Sequence, residues 1–163
     1  MTRTCLYMGV LLAATVSVAR AAGPPRLLEG LWEISVHSTE NPGGKSTEYS
    51  FKLCRDHAFD KQTDELVKNN KNCATQLQSL GADRFSAASR CTVSGIVIVS
   101  KGLSVYQKNT AVHSESAATY TPPLYGKTDE TMVQDQRYLG NCPAGMKPGD
   151  RILADGSLVR RAK

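Results

Sequence analysis

The residues best equipped for chemistry in this 163-residue chain are its cysteines, its three histidines and one charged pair near the C-terminus. Beyond residue 21 four cysteines remain, Cys54, Cys73, Cys91 and Cys142, separated by 18, 17 and 50 residues. No two of them form a C-x-x-C, so neither a zinc site nor a dithiol redox pair is expected. An even number at such spacing reads as two disulfides, with three pairings open. His37, His57 and His113 are scattered, and none has a second histidine or a carboxylate at metal-ligand spacing. No metal and no cofactor is therefore expected, and Asp56-His57 reads as a helix cap and its neighbour. The sequence has no G-x-S-x-G, no H-E-x-x-H and no Gly-rich phosphate loop. Asp135 and Arg137, two apart on one strand, can act as an acid and base in a cavity or as a structural pair, and the structural role is the simpler. The expectation is of a protein that is not an enzyme.

One disulfide follows from the local pattern. Gly81-Ala82-Asp83 is a turn-forming step, and the midpoint of Cys73 and Cys91 falls on Ala82. Folding there sets Cys73 opposite Cys91, Thr75 opposite Ser89, Leu77 opposite Ala87 and Ser79 opposite Phe85. Leu77, Ala87 and Phe85 then share a face, while Gln76, Gln78, Ser86 and Arg90 take the other, so register and hydrophobicity agree. This favours Cys73 with Cys91 and leaves Cys54 with Cys142; the rival pairing joins Cys54 to Cys73.

The elements that must carry these residues are mostly strands. Over 31–38, Trp32, Ile34 and Val36 alternate with Glu33, Ser35 and His37, the period of a half-buried strand. Asn41-Pro42-Gly43-Gly44 turns the chain into a second strand with Tyr49, Phe51 and Leu53 on one face. Asp56 caps a helix over 57–68, with Phe59, Leu66 and Val67 as apolar anchors and Asn69-Asn70-Lys71-Asn72 as its end. Beyond the cysteine hairpin come a strand over 96–106 interrupted near Gly102, a weaker segment over 111–121, and a strand over 131–139. On that last strand Val133 and Leu139 share with Asp135 and Arg137 what would otherwise be the inner face. Asp155-Gly156 between two apolar pairs marks a closing hairpin at about 151–160. Short strands joined by tight turns favour a mainly β fold, an antiparallel meander curled into a half or whole barrel, with one short helix and two disulfides.

The first 21 residues read as a cleaved secretory signal. Arg3 is the one charge before an uncharged run over 6–19, and Ala19-Arg20-Ala21 places small residues for a cut ahead of Ala22. The run is shorter than the roughly 20 apolar residues a membrane span needs. Residues 22–163 then form one domain of ordinary size. Without Arg3 and Arg20 it carries 18 basic against 15 acidic residues. That small excess, part of it in a solvated Arg160-Arg161-Ala162-Lys163 tail, gives no footprint for nucleic acid.

Gly30-Leu31-Trp32-Glu33, the four cysteines, Arg137-Tyr138-Leu139-Gly140-Asn141-Cys142-Pro143 and Lys147-Pro148-Gly149 together resemble an uncharacterised bacterial family of exported proteins sharing a domain of unknown function. In that family the last motif usually reads Gly-Asp-Cys, where this chain has Asn141. The resemblance implies a periplasmic or secreted location and supplies no activity. A more distant likeness is to lipocalins, whose first strand opens with Gly-x-Trp and whose last strand lays an Arg over the indole. It implies that Trp32 and Arg137 close the end of a barrel.

Two functions fit. One is a binding module whose Trp32, Tyr49, Phe51, Phe85, Val105 and Tyr106 face inward around a small apolar or amphipathic ligand. The other is a structural or interaction protein of the envelope, with a filled core and an exposed sheet edge that meets a partner.

Overall fold

The computed structural model describes residues 23–161. The secretory leader, its cut ahead of Ala22 and residues 162–163 lie outside that span. Nine strands and one helix follow in chain order: β1 (Gly30–Asn41), β2 (Lys45–Arg55), α1 (His57–Lys68), β3 (Cys73–Ser79), β4 (Arg84–Val93), β5 (Ile96–Gln107), β6 (Ala111–Leu124), β7 (Lys127–Gly140), β8 (Arg151–Leu153) and β9 (Leu158–Val159). All strands join one antiparallel sheet in the order β3-β4-β5-β6-β7-β1-β2-β8-β9. The meander from β3 to β7 thus returns to lay its last strand beside β1, and the closing hairpin continues from β2. The whole barrel is not formed: β3 and β9 do not pair, so both sheet edges stay open.

The period-two strands form where alternation places them. Across β1, Trp32 faces Leu53 and Ile34 faces Phe51 on β2, and Val36 faces Tyr49. The cysteine hairpin has the register its symmetry about Ala82 predicts, from Cys73 with Cys91 to Ser79 with Phe85. Both bridges, Cys73–Cys91 and Cys54–Cys142, are present. β5 runs unbroken through Gly102, contrary to the expected interruption. That glycine lies against β6, where a Cβ would stand 3.1 Å from the Glu115 carbonyl oxygen and 3.2 Å from Ser116 Cβ, so the residue serves close strand approach.

The helix starts where its cap predicts, with Asp56 Oδ1 accepting from the Phe59 N–H at 2.7 Å. Of its three expected anchors only Phe59 reaches the core; Leu66 is 68% and Val67 54% exposed. The core gathers at one end of the inner face. Leu27, Trp32 and Val112 pack with Leu28, Tyr106 and Tyr138. Beside them Ile34, Val36 and Leu53 pack with Phe51, Phe59 and Met132.

The inner face of β7 differs from expectation. Cross-strand pairing places Tyr138 opposite Trp32 but Arg137 opposite Glu33, because a bulge between Leu31 and Trp32 shifts the register by one residue. Asp135 and Arg137 therefore lie on the outer face, with Glu33, Ser35 and His37. The inner face carries Met132, Gln134, Gln136 and Tyr138 instead. Gly30 stands at this junction with φ +139°, and a Cβ there would collide with the Gly140 carbonyl. Along β6 the inner residues Ser114, Ser116, Ala118 and Tyr120 are half-buried while Glu115, Ala117 and Thr119 are exposed.

Candidate functional site

The most built part of the inner face centres on Arg55, the last residue of β2 and two positions beyond Leu53. Period two puts it on the Trp32 side of the sheet. Its guanidinium carbon lies 5.3 Å from the centre of the indole ring. Nε and Nη2 donate to Asp60 Oδ1 at 2.9 and 2.8 Å, and Nη1 donates to Gln136 Oε1 at 3.1 Å. The Arg55 side chain is 14% exposed, so this pair is shielded from solvent far more than an ordinary surface ion pair. Asp60 is positioned by the first turn of α1, and Gln136 by the bulge-shifted register of β7.

Arg55 thus does what Arg137 was expected to do. Arg137 instead donates through Nη2 to Glu33 Oε2 at 2.7 Å on the outer face. Trp32 is fully buried beneath Arg55, and its Nε1–H donates to the Leu28 carbonyl at 2.9 Å, so it serves the core. Phe85 is buried too, edge-on to Tyr106 at 5.6 Å. Tyr49 and Phe51 stack at 6.4 Å, with Arg151 over the Phe51 ring at 5.2 Å. Val105 stands on the opposite face from Tyr106, as strand alternation requires of neighbours, opposite Arg84 and His113.

Of the six aromatic and aliphatic candidates, Tyr106 lines the cleft beside α1, and Tyr106 and Val105 together border a separate open hollow next to Asp83 and Asn109. The cleft, of about 500 Å³, lies between α1, the segment before β1 and the inner face. Tyr106, Leu27, Pro24 and Pro25 give it an apolar side. Arg26, Lys61, Asp64, Glu65 and Lys68 supply charge around it. Burial pushes the Tyr106 hydroxyl above its ordinary pKa, an effect larger than the lowering by Arg55. His57 borders the cleft but is already engaged, with Nδ1 2.8 Å from Glu29 Oε1 and Nε2 2.9 Å from the Leu27 carbonyl.

The opposite end of the inner face holds a second polar knot. Lys127 Nζ donates to Glu130 Oε2 at 2.9 Å and Glu40 Oε1 at 3.2 Å, and the Tyr120 hydroxyl donates to Glu130 at 2.9 Å. The bond from Lys127 holds Glu130 below the usual carboxylate range, and the bond to Glu130 raises Lys127 in turn. On the outer face His113 Nδ1 lies 2.7 Å from Asp135 and Nε2 3.3 Å from Glu115. Those bonds, the one to Asp135 foremost, raise its pKa. Among the described residues no group of three or more His, Cys, Asp or Glu is placed to hold a metal ion.

The C-terminal arginines are exposed, as expected of a solvated end, yet both make contacts with the fold. Arg160 Nη1 donates to Asp150 Oδ2 at 2.7 Å, and the Arg161 guanidinium lies 5.0 Å from the Phe59 ring centre. Sequence reasoning passed over Arg55, Asp60 and Gln136. The signal for Arg55 was its parity with Leu53; that for Asp60 was its place in the first helical turn, within reach of the strand just before the helix.

A family model described as a protein of unknown function, DUF3617, matches residues 27–142. No curated protein matches the chain. No helix among the described residues is long and apolar enough to cross a membrane.

Proposed function

We propose, from the premise that this chain belongs to the DUF3617 family of proteins of unknown function, that it is an exported, non-catalytic module that binds a small amphipathic ligand. The observation that carries this reading is the cleft beside α1. Its volume of about 500 Å³ lies within the roughly 300–1,000 Å³ of ordinary small-molecule sites. An apolar side at Tyr106 and Leu27 suits a hydrocarbon tail, and the cations Arg26, Lys61 and Lys68 suit an acidic head group. The ionic groups deepest in the site, Arg55 and Asp60, satisfy one another, which supports a binding role over proton transfer. Two disulfides and the apolar leader support an oxidising compartment, the periplasm or the exterior of a bacterium.

Calorimetric titration with dodecanoate tests the reading. Wild-type protein is expected to take up the probe at one saturable site, Tyr106→Ala to lose that uptake, and Lys61→Glu with Lys68→Glu to weaken it while leaving the fold intact. No saturable uptake by the wild type, or uptake indifferent to all three substitutions, would defeat it. The rival reading, an interaction component of the envelope, is favoured by the open sheet edges and gains from the first of those outcomes.

A further inference from the structure

One face of α1 borders the cleft, and it carries His57, Asp60, Lys61, Asp64, Glu65 and Lys68. Steps of three and four residues line these up along the helix, with no apolar side chain among them. The rest of the lining is apolar at Pro24, Pro25, Leu27 and Tyr106 and basic at Arg26 and Arg55. Four cations, Arg26, Arg55, Lys61 and Lys68, therefore stand against three carboxylates, and so near a balance attracts no ligand of large net charge. Some of these charges are already engaged. Arg55 holds Asp60 at 2.8 Å, and Lys61 and Glu65 lie 3.8 Å apart along the helix. Arg26, Asp64 and Lys68 make no ion pair with any described residue. Asp64 and Lys68 stand one turn apart in the order that favours pairing, yet they do not close on each other.

An acidic head group on its own would satisfy Arg26 and Lys68 and meet Asp64 as a like charge. A head group that also carries an ammonium removes that conflict. We infer that the cleft selects amphiphiles with a zwitterionic head group, a phosphate joined by a short linker to an ammonium, an inference that rests on the binding role proposed above. Asp64 takes the ammonium, Lys68 and Arg26 take the phosphate, and the chain lies on Leu27, Pro24 and Pro25. Residues one helical turn apart have Cβ atoms about 5–6 Å from each other, a span that suits two charges separated by an ethylene bridge. Tyr106 strengthens the cationic half. Its phenol is held above the ordinary pKa by burial first, with the Asp64 charge adding to burial against Arg55, so phenol and carboxylate lie within electrostatic reach of each other. An aromatic ring close to a carboxylate is a fitting surface for an alkylated ammonium.

Calorimetric titration below the micelle concentration, with dodecylphosphocholine, dodecanoate and chain-free phosphocholine as probes, tests the inference. Wild-type protein should bind dodecylphosphocholine at least about tenfold more tightly than either of the others. Asp64→Asn should erase its advantage over dodecanoate by weakening dodecylphosphocholine alone, and Asp64→Glu should keep it. Lys68→Gln should weaken both chain-bearing probes. Asp64 and Lys68 are exposed, so circular dichroism should show each variant folded. Saturable uptake of dodecanoate with no preference for dodecylphosphocholine, or a preference that survives Asp64→Asn, would overturn this inference and leave the binding role standing. Phosphocholine that binds as tightly without its chain would overturn it too. Uptake of none of the three probes would remove both readings.

Discussion

Arg55 and Arg137 carry the same charge on neighbouring parts of the sheet, and their surroundings give them different roles. Arg55 stacks on the single tryptophan and pairs with a half-buried Asp60. Truncating it removes the cation-π contact and strands that carboxylate, so Arg55→Ala is expected to cost about 2–4 kcal/mol and to shift tryptophan emission to the red. Arg137→Ala should stay within about 1 kcal/mol with emission unchanged, because its pair with Glu33 is exposed. Urea unfolding followed by fluorescence compares the two, and a larger loss at Arg137 would refute the assignment. Asp150 offers a pH test. It accepts from the Lys147 and Arg161 backbone N–H groups and from the Arg160 guanidinium, and these bonds lower its pKa to about 2. A carboxyl that holds its proton less readily when folded stabilises the protein fully above about pH 4, and that stabilisation is lost as pH falls toward 2. Asp150→Asn should flatten the acid limb of a stability-versus-pH series. His113 has the opposite sign, since its raised pKa stabilises the fold below about pH 6.5 and the contribution fades as pH climbs past the raised value. An NMR titration should find its midpoint above 6.5, a value that Asp135→Asn brings down.

At the scale of elements, the two disulfides divide the work unequally. Cys54–Cys142 closes a span of 88 residues and joins the end of β2 to the segment after β7. Cys73–Cys91 closes 18 residues within one hairpin that already pairs along its length. Loop entropy grows with the logarithm of span, so replacing the first pair by alanines should cost about 4–5 kcal/mol and the second about 3 kcal/mol. Denaturant midpoints of the two double variants measure the order. An equal or reversed order would mean that the β3–β4 hairpin depends on its staple more than its ladder suggests. α1 sits near the other extreme: one aromatic anchor and a cap hold it, with Leu66 and Val67 left outside. It is the element best placed to move when the cleft beneath it fills.

Over the whole molecule, a wide sheet has most of its buried side chains at one end. The buried apolar residues, such as Trp32, Ile34, Val36 and Leu53, cluster around β1 and its neighbours, whereas β3 has none. Surface exposed on unfolding sets the denaturant slope, so the monomer should show a urea m-value near the low end of the usual range, about 1 kcal/mol per M. A slope near 2–3 kcal/mol per M under dilute, ligand-free conditions would mean that much more of the inner face is covered in solution.

What the sequence by itself determined is the part whose physics is local. Side-chain alternation marked β1 and β2, an aspartate able to accept an N–H three residues on began α1 at its observed place, and the symmetry of Cys73 and Cys91 about one turn set a hairpin register to the residue. Alternation also sorts a strand into two faces, yet it cannot say which face meets the core. Had β7 continued from the Leu31–Gly140 pair without a bulge, Leu139 would stand opposite Trp32 and Arg137 opposite Ile34, on the inner face as expected. The one-residue shift between Leu31 and Trp32 exchanges the faces, sending Arg137 out to Glu33 and bringing Tyr138 and Gln136 in. Only then does the place over the indole fall to Arg55, which needs Asp60 from the helix and Gln136 from a strand 81 residues away. The open edges are a tertiary outcome too: β7 takes β1 as its neighbour, so the sheet ends in β3 on one side and the short β9 on the other, and these two strands do not pair. Pairing between distant strands depends on burial summed over both partners, a quantity that no single strand's pattern contains.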